Sequence, residues 1–384
     1  FYMNAKTNNK PHKTKQKNSV AVLIPFINNR TLLSHCLSSL RATSDVAVHV
    51  CCDEPGRPKD VANICKKFAA NLIYNEEWLG YCATTNRLAS HAQEDFLVFC
   101  NCDIMVNDSW RDKLMRTWAS ANNPGFVSPK IISMQDRSLN YCGIAFGKAN
   151  AVALWTRSLP HPEISSETNH FQAVPDCFAL IKHETYETAG PRDSNFPVSW
   201  TDLDLCLKLK RLGFTNISDG SCEVLHFRHV SGEKRMILDS ESRAYFFAKW
   251  RDTIDVDLPR WLIKSFSSAR DRSRLRGKTV RLVIICPLFD RIFYIEAIQE
   301  AFEVQIGDML EINTLDKHPS LFSLLTIEVL KTNSPIIYLF KNYESFYQNI
   351  VWFEQRKGKK DLIVDYYGNA DFADSLFSRH RAII

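Results

Sequence analysis

The sequence contains no Cys-x-x-Cys pair, no Gly-x-Gly-x-x-Gly stretch and no Gly-x-x-x-x-Gly-Lys-(Ser/Thr) loop. It also has no apolar run near the roughly 18 residues that span a bilayer. The first absence argues against a zinc ribbon. The next two remove the usual glycine-loop routes to dinucleotide and phosphate binding, so any nucleotide phosphates would need a metal to neutralise them. The last removes a membrane-spanning helix. Charge of one sign is also scarce: 48 Lys and Arg against 43 Asp and Glu leave a net charge of +5, too mild for a dedicated nucleic-acid binder. The polar, lysine-rich start lacks the pattern of a secretory signal peptide.

What is present is the composition of a globular protein, 45% hydrophobic and 24% charged, with 13 Gly and 15 Pro. The 384 residues exceed one ordinary core, and a prior of roughly 150 residues per domain gives two or three. The positive excess is local. Five Lys and no acid fall in residues 1–18, and eight Lys or Arg with Asp271 as the lone acid fall in 260–281. The 12 cysteines sit inside apolar strand and helix patterns, as Cys51, Cys52, Cys100, Cys206 and Cys286 do, which reads as buried reduced thiols and a cytoplasmic setting.

Residues 1–18 lack hydrophobic periodicity and read as a disordered basic leader. From Ser19 the pattern alternates. Short apolar runs at 20–27, 46–52, 71–74 and 96–100 are separated by helical spacing over 31–40, 58–70 and 82–92, with a further helix from about 109. Continuous apolar strands between helices mean a mostly parallel sheet covered on both faces. Residues 122–180 are looser and proline-punctuated, and should supply a mixed sheet and acceptor-facing loops. A helix over 201–212 ends at Gly213, suited to a left-handed cap, and 222–229 reads as a strand.

Residues 240–278 are helical and basic. One reading is a membrane-surface helix that sets Trp261, Leu262 and Phe266 against Arg270, Arg272, Arg274 and Arg276; the other is a packing helix with a solvated linker. From Thr279 a second α/β rhythm begins, with helices at 292–303, 319–331 and 343–357, and it supplies about three strands. The expected fold class is α/β. A mixed-sheet domain (19–235) is followed by a basic helical connector (236–278) and a second, apparently incomplete α/β unit (279–384).

In open α/β sheets ligands bind beyond the carboxyl ends of the strands. Those positions here are Pro25–Asn28, Asp53–Glu54 and Asn101-Cys102-Asp103. An acid directly after a buried strand can hold a divalent cation against a phosphate; equally, Asp103 can cap the next helix. In Trp200-Thr201-Asp202-Leu203-Asp204, the Thr201/Asp204 spacing fits a helix-capping box, which leaves Asp202 at the helix mouth, available as a general base. His226 alone reads most simply as a hydrogen-bonded strand histidine.

Taken in order, four pieces resemble the family 2 glycosyltransferases, nucleotide-sugar enzymes of the GT-A fold. They are VAVLIPFINNRTLLSHCLSSL, LGYCATTNRLASHAQEDFLVFCNCDIMV, CFALIKHETYETAGPRDSNFPVSWTDLDLCLKLKRLGF and EVLHFRHVSG. The resemblance covers residues 19 to about 250 and is nearest to rhamnosyl- and galactofuranosyl-transferase-like branches that build bacterial surface polysaccharides. It implies that Asp103 and His226 ligate Mn²⁺ or Mg²⁺, the imidazole tilting the choice toward Mn²⁺, and that Asp202 is the base of an inverting displacement. It implies that Pro25, Asn28, Asp53, Gly80, Asn86, Asn101, Cys102 and Asp103 line the donor site, with Asp53 on the nucleotide base. Trp200 and Asp204 fall on the acceptor side. Cys102 and Asn101 stand where the family commonly has acids, and Thr201 where it often has Glu.

The implied partners are a nucleotide-sugar donor, UDP- or dTDP-linked, and a glycan or lipid-linked glycan acceptor, with peripheral contact at an anionic membrane. The thin acidic motif keeps open a non-catalytic nucleotide-sugar-binding or scaffolding module. A sugar nucleotidyltransferase is disfavoured because PFINNRTLL lacks a glycine-rich basic loop. The last hundred residues faintly resemble the opening half of a GT-B transferase, with an accessory α/β domain as the alternative.

Overall fold

The computed structural model describes residues 18–159, 161–196, 199–227, 234–269, 271–288, 290–312 and 327–383. The basic leader lies outside the described residues, apart from Asn18, as does most of the helix expected over 319–331.

The apolar runs become strands because helices cover both of their faces. β1 (Val20–Phe26), β2 (Ala47–Cys52), β3 (Asn71–Tyr74) and β4 (Phe96–Cys100) lie parallel in the order β4-β1-β2-β3. They are joined by α1 (Arg30–Thr43), α2 (Lys59–Lys67) and α3 (Gly80–His91). Side chains alternate between two cores: Leu23, Leu97 and Phe99 enter one, and Val22, Ile24 and Val98 the other.

The looser stretch builds the other half of the same sheet. β5 (Ile104–Val106) and α4 (Trp110–Ser120) lead into that stretch, which holds β6 (Pro124–Ser133), β7 (Leu139–Tyr141), a separate two-stranded hairpin of β8 (Ile144–Phe146) and β9 (Ala151–Ala153), and β10 (Thr168–Phe171), and runs on into β11 (Phe178–Lys182) and α5 (His183–Ala189). α6 (Thr201–Arg211) and β12 (Thr215–His226) follow, and Gly213 turns the chain between them at φ +85°. β11 lies antiparallel between β4 and β6, and β12 pairs parallel with β6 and antiparallel with β5 and β10. Among the described residues the result is a ten-stranded mixed sheet, the expected α/β class.

In the connector, α7 (Lys234–Trp250) and α8 (Leu258–Ser267) pack inward. Trp261 is 3% exposed and stacks on Phe171 at 4.2 Å, while Leu262 and Phe266 are fully buried. The membrane-surface reading of these residues therefore gives way to the packing reading. Among the described residues no helix is long and apolar enough to cross a membrane.

The second sheet corrects the strand count. Among the described residues it has five strands in the order β14-β13-β15-β16-β17: β13 (Thr279–Ile284), β14 (Gln305–Glu311), β15 (Ile336–Phe340), β16 (Leu362–Asp365) and β17 (Ala370–Phe372). Only β17 runs antiparallel to its neighbour. Its helices are α9 (Arg291–Phe302), α10 (Ile327–Lys331), α11 (Tyr343–Tyr347), α12 (Ile350–Glu354) and α13 (Ala373–Ile383). The helix expected over 343–357 breaks at Gln348–Asn349. The edge strand β14 is exposed along most of its length, so it carries no apolar alternation to read.

One core runs through both units, joining Trp155, Trp261 and Phe266 to Tyr294, Phe302 and Leu339. The backbone crosses the same boundary, since Trp155 N–H donates to the Tyr367 carbonyl at 2.9 Å.

Candidate functional site

The carboxyl ends of β4, β1 and β2 set Asn101–Asp103, Ile27–Asn28 and Asp53 along one rim of the sheet. β5 leaves that rim and pairs with the end of β12, with Ile104 opposite His226. This pairing brings together two residues far apart in sequence: His226 Nε2 lies 3.3 Å from Asp103 Oδ2, and Phe227 N–H donates to the Asp103 carbonyl. Their side chains are 12% and 13% exposed, sunk into the rim but open on one side.

Behind the imidazole, the side-chain amide of the fully buried Asn140 lies 2.9 Å from His226 Nδ1 through its nitrogen, and its Oδ1 has no partner. Turning that amide about its axis lets Oδ1 accept the Nδ1 proton and leaves the Nε2 lone pair facing Asp103. One carboxylate and one imidazole so arranged suit Mn²⁺ or another divalent ion that completes its shell with phosphate oxygens and water. Among the described residues no group of three or more acidic, His or Cys side chains converges as a closed metal cage.

Asp202 opens α6. Its predecessor Trp200 sits in the left-handed region at φ +68° and no side chain caps the helix, which leaves the partly exposed Asp202 at the helix mouth. Burial first, and then the nearby Asp176 carboxylate, raise Asp202 to about 7, the range a general base at neutral pH needs. Beneath it Arg192 Nη2 meets Asp176 Oδ2 at 2.5 Å, with the two side chains 0% and 7% exposed.

Several expected site residues have other tasks. Asp204 is fully buried and cannot meet an acceptor: its Oδ1 accepts from Trp250 Nε1 (2.8 Å) and Lys249 Nζ (2.7 Å), tying α6 to α7. The capping box is replaced as well, because Thr201 Oγ1 accepts from Cys82 Sγ and Arg192 Nη1 instead of capping the helix. Asn86 is consumed structurally, donating to the Arg192 carbonyl while its Oδ1 accepts from Arg192 N–H and Tyr186 O–H.

Asp53 is 4% exposed, and both of its oxygens are engaged, by Leu79 N–H (2.8 Å), Gly80 N–H (2.8 Å) and Asn75 Nδ2 (2.7 Å). It anchors the start of α3 where a base contact was expected. Gly80 is buried at φ +79°, a conformation that suits a residue without Cβ, and its N–H is spent on that anchor.

The remaining expected residues lie on the rim. Pro25, Asn101 and Cys102 are partly exposed and Asn28 is exposed. Burial pushes the Cys102 thiol far up, so it is neutral and adds no charge beside Asp103. Trp200 is partly exposed, with its indole N–H on Asp239 at 3.2 Å. Sequence reasoning missed Asp176, Arg192, Tyr81 and Asn140. They lie on four separate segments with no motif among them, and only the pairing of β11 with β4, which carries Asn101 N–H onto the Cys177 carbonyl, sets Asp176 beside the Asn101–Asp103 turn.

The domain thus sets a carboxylate–imidazole pair and an acid at a helix mouth on the rim where ligands of open α/β sheets bind. Residues 21–185 match the family model "Glycosyl transferase family 2", and this part of the chain is a family 2 glycosyltransferase domain. The chain is 24% identical over 229 residues to O-antigen biosynthesis protein RfbC of Myxococcus xanthus, covering 56% of this chain and 18% of that protein. It is 23% identical over 196 residues to uncharacterized protein y4gI of Sinorhizobium fredii (strain NBRC 101917 / NGR234), covering 49% and 20%. The matched part is thus about a fifth of those curated relatives.

Among solved structures it is similar to GalNAc-T7 with UDP, GalNAc and Mn²⁺ (TM-score 0.47, 14% identity, 62% of this chain and 52% of that one). It is also similar to mannosyltransferase PcManGT from Pyrobaculum calidifontis in complex with GDP-Man and Mn²⁺ (TM-score 0.45, 17% identity, 62% and 65%).

Proposed function

We propose that residues 19–235 carry out inverting transfer of a sugar from a nucleoside-diphosphate donor, UDP- or dTDP-linked, to a hydroxyl of a cell-surface glycan or its lipid-linked precursor. The observation that carries this reading is the convergence of Asp103 and His226 on the rim that also bears Asn28 and Cys102. The resemblance to an O-antigen biosynthesis protein supports the class of acceptor. The mostly buried cysteines support a reducing, cytoplasmic setting.

The acceptor oxygen bonds to the anomeric carbon while the bond from that carbon to the diphosphate oxygen breaks on the opposite face. The acceptor's proton passes to the Asp202 carboxylate, contributing about 10²–10⁴-fold. Asp103 and His226 would hold Mn²⁺ or Mg²⁺, which when bound there supplies positive charge to the leaving diphosphate. Asn140 fixes the ring of His226, and the neutral Cys102 leaves Asp103 as the one charge on its turn.

Calorimetry with UDP and dTDP, each with and without Mn²⁺, followed by a donor-hydrolysis screen of nucleotide-sugars, tests the reading. Metal-dependent nucleotide binding and turnover that Asp202→Asn abolishes are expected. Absence of metal-dependent binding would favour a scaffolding module, and near-normal turnover by Asp202→Asn would remove the base assignment.

A further inference from the structure

We infer that the buried Asp176–Arg192 ion pair is a positioning device for the turn that bears Asp202: Arg192 fastens that turn through Thr201 and offsets the charge that Asp176 imposes on Asp202. The inference rests on reading Asp202 as the base.

The geometry is a clamp of charge and ring contacts rather than of hydrogen bonds, since the buried Arg192 Nε and Nη2 and Asp176 Oδ2 make no hydrogen bond among the described residues. Arg192 reaches Asp176 at 2.5 Å with one guanidinium nitrogen and Thr201 Oγ1 at 3.5 Å with another. Its guanidinium lies over the rings of Phe99 (4.4 Å) and Tyr81 (5.6 Å), so it is held by faces as well as charges. Its own backbone is gripped on both sides by Asn86, at 3.0 Å and 2.9 Å. Asp176 receives the Tyr81 hydroxyl at 3.4 Å. A buried ion pair adds little to stability over apolar residues of similar volume, so stability alone gives weak reason to place one under a cleft acid.

The groups that act on Asp202 come from four segments. Asp176 and Cys177 precede β11, Arg192 precedes α6, Tyr81 is on α3, and Cys206 is on α6 itself. Burial holds the two thiols and the phenol neutral. Among the described residues, Asp176 and Arg192 therefore carry the charge that acts on Asp202, with opposite signs.

The test reads Asp202 directly, by carboxyl ¹³C NMR titration of aspartate-labelled full-length protein, with the Asp202→Asn spectrum assigning the resonance. Asp176→Asn should lower the Asp202 midpoint by about 1 pH unit, and Arg192→Met should raise it by about 1 unit or more. The double variant should return close to wild type, and Arg192→Lys, which keeps the charge, should hold the wild-type midpoint. Should Arg192→Met fail to fold, Asp176→Asn and the double variant, which leaves no buried charge unpaired, still decide. Unmoved midpoints, or both single variants moving the same way as general disruption would, overturn the inference. Retained turnover by Asp202→Asn would instead overturn the base assignment, and the NMR reading does not depend on it.

Discussion

Replacing Asp202 by Asn should make the protein more stable and inactive at once, and the stability gain should depend on pH in a fixed direction. The rise of the folded-state value from 3.8 to about 7 means that the folded protein holds the Asp202 proton longer than the unfolded chain does. Below about pH 4 both states keep the proton and the residue costs nothing. As pH rises through the window from 3.8 to 7 the cost accumulates, and above 7 it is complete, with a ceiling of about 4 kcal/mol. Asp202 is partly solvated, so a gain of about 1–3 kcal/mol for Asp202→Asn at pH 8 is the working expectation. Urea denaturation of both proteins, followed by circular dichroism at pH 5, 6, 7 and 8, should show the gap widening to pH 7 and then levelling. In parallel the wild-type kcat should climb roughly tenfold between pH 6 and pH 8, as a base of about 7 loses its proton. A gap that is constant, or that narrows as pH rises, would refute the burial argument.

Asn140→Ala should lower Mn²⁺ affinity about 10–100-fold by releasing the His226 ring, measured by calorimetry with the metal alone; an unchanged affinity would show that Asn140 does not hold the ring. Asp204→Ala strips the acceptor from Lys249 and Trp250 and should cost about 3–5 kcal/mol in denaturant unfolding; a change under about 1 kcal/mol would mean that the buried network is weak. A chain ending after Lys278 uncovers Phe266 and Trp155 and should bind a hydrophobic dye and lose about 3 kcal/mol or more; unchanged cooperative unfolding would show the second unit to be independent.

The first four strands were legible because each is a continuous apolar run between helices, and the structure places them within a residue or two of the expected ends. β14 and β17 were not legible: β14 is an exposed edge strand, and β17 is three residues long. The meeting of Asp103 with His226 was legible through the resemblance alone, since nothing in the run around His226 says that β12 will end beside β5. Asn86 and Asp204 misled for one physical reason. Both are polar residues at motif positions, and a motif does not say whether a side chain faces the cleft or the packing behind it. Arg192 left no signal at all, because a lone arginine before a helix reads as surface until the fold buries it against Phe99.

The two acids of the first turn of α6 show how the fold separates chemistry from architecture. Both lie at a helix N-terminus, where unpaired N–H groups favour negative charge. Asp204 turns inward, is fully buried, and is matched by Lys249 at 2.7 Å, Lys208 at 3.4 Å and the Trp250 indole, so its charge is spent. Asp202 sits at the helix mouth, and among the described residues no salt bridge holds it; Arg192, which acts on it, is already bound to Asp176. A carboxylate buried among two lysines and an indole cannot reach an acceptor hydroxyl, and one left wholly in solvent would be too weak a base. Sharing Arg192 with Asp176 leaves Asp202 between these limits, which is the condition a general base requires.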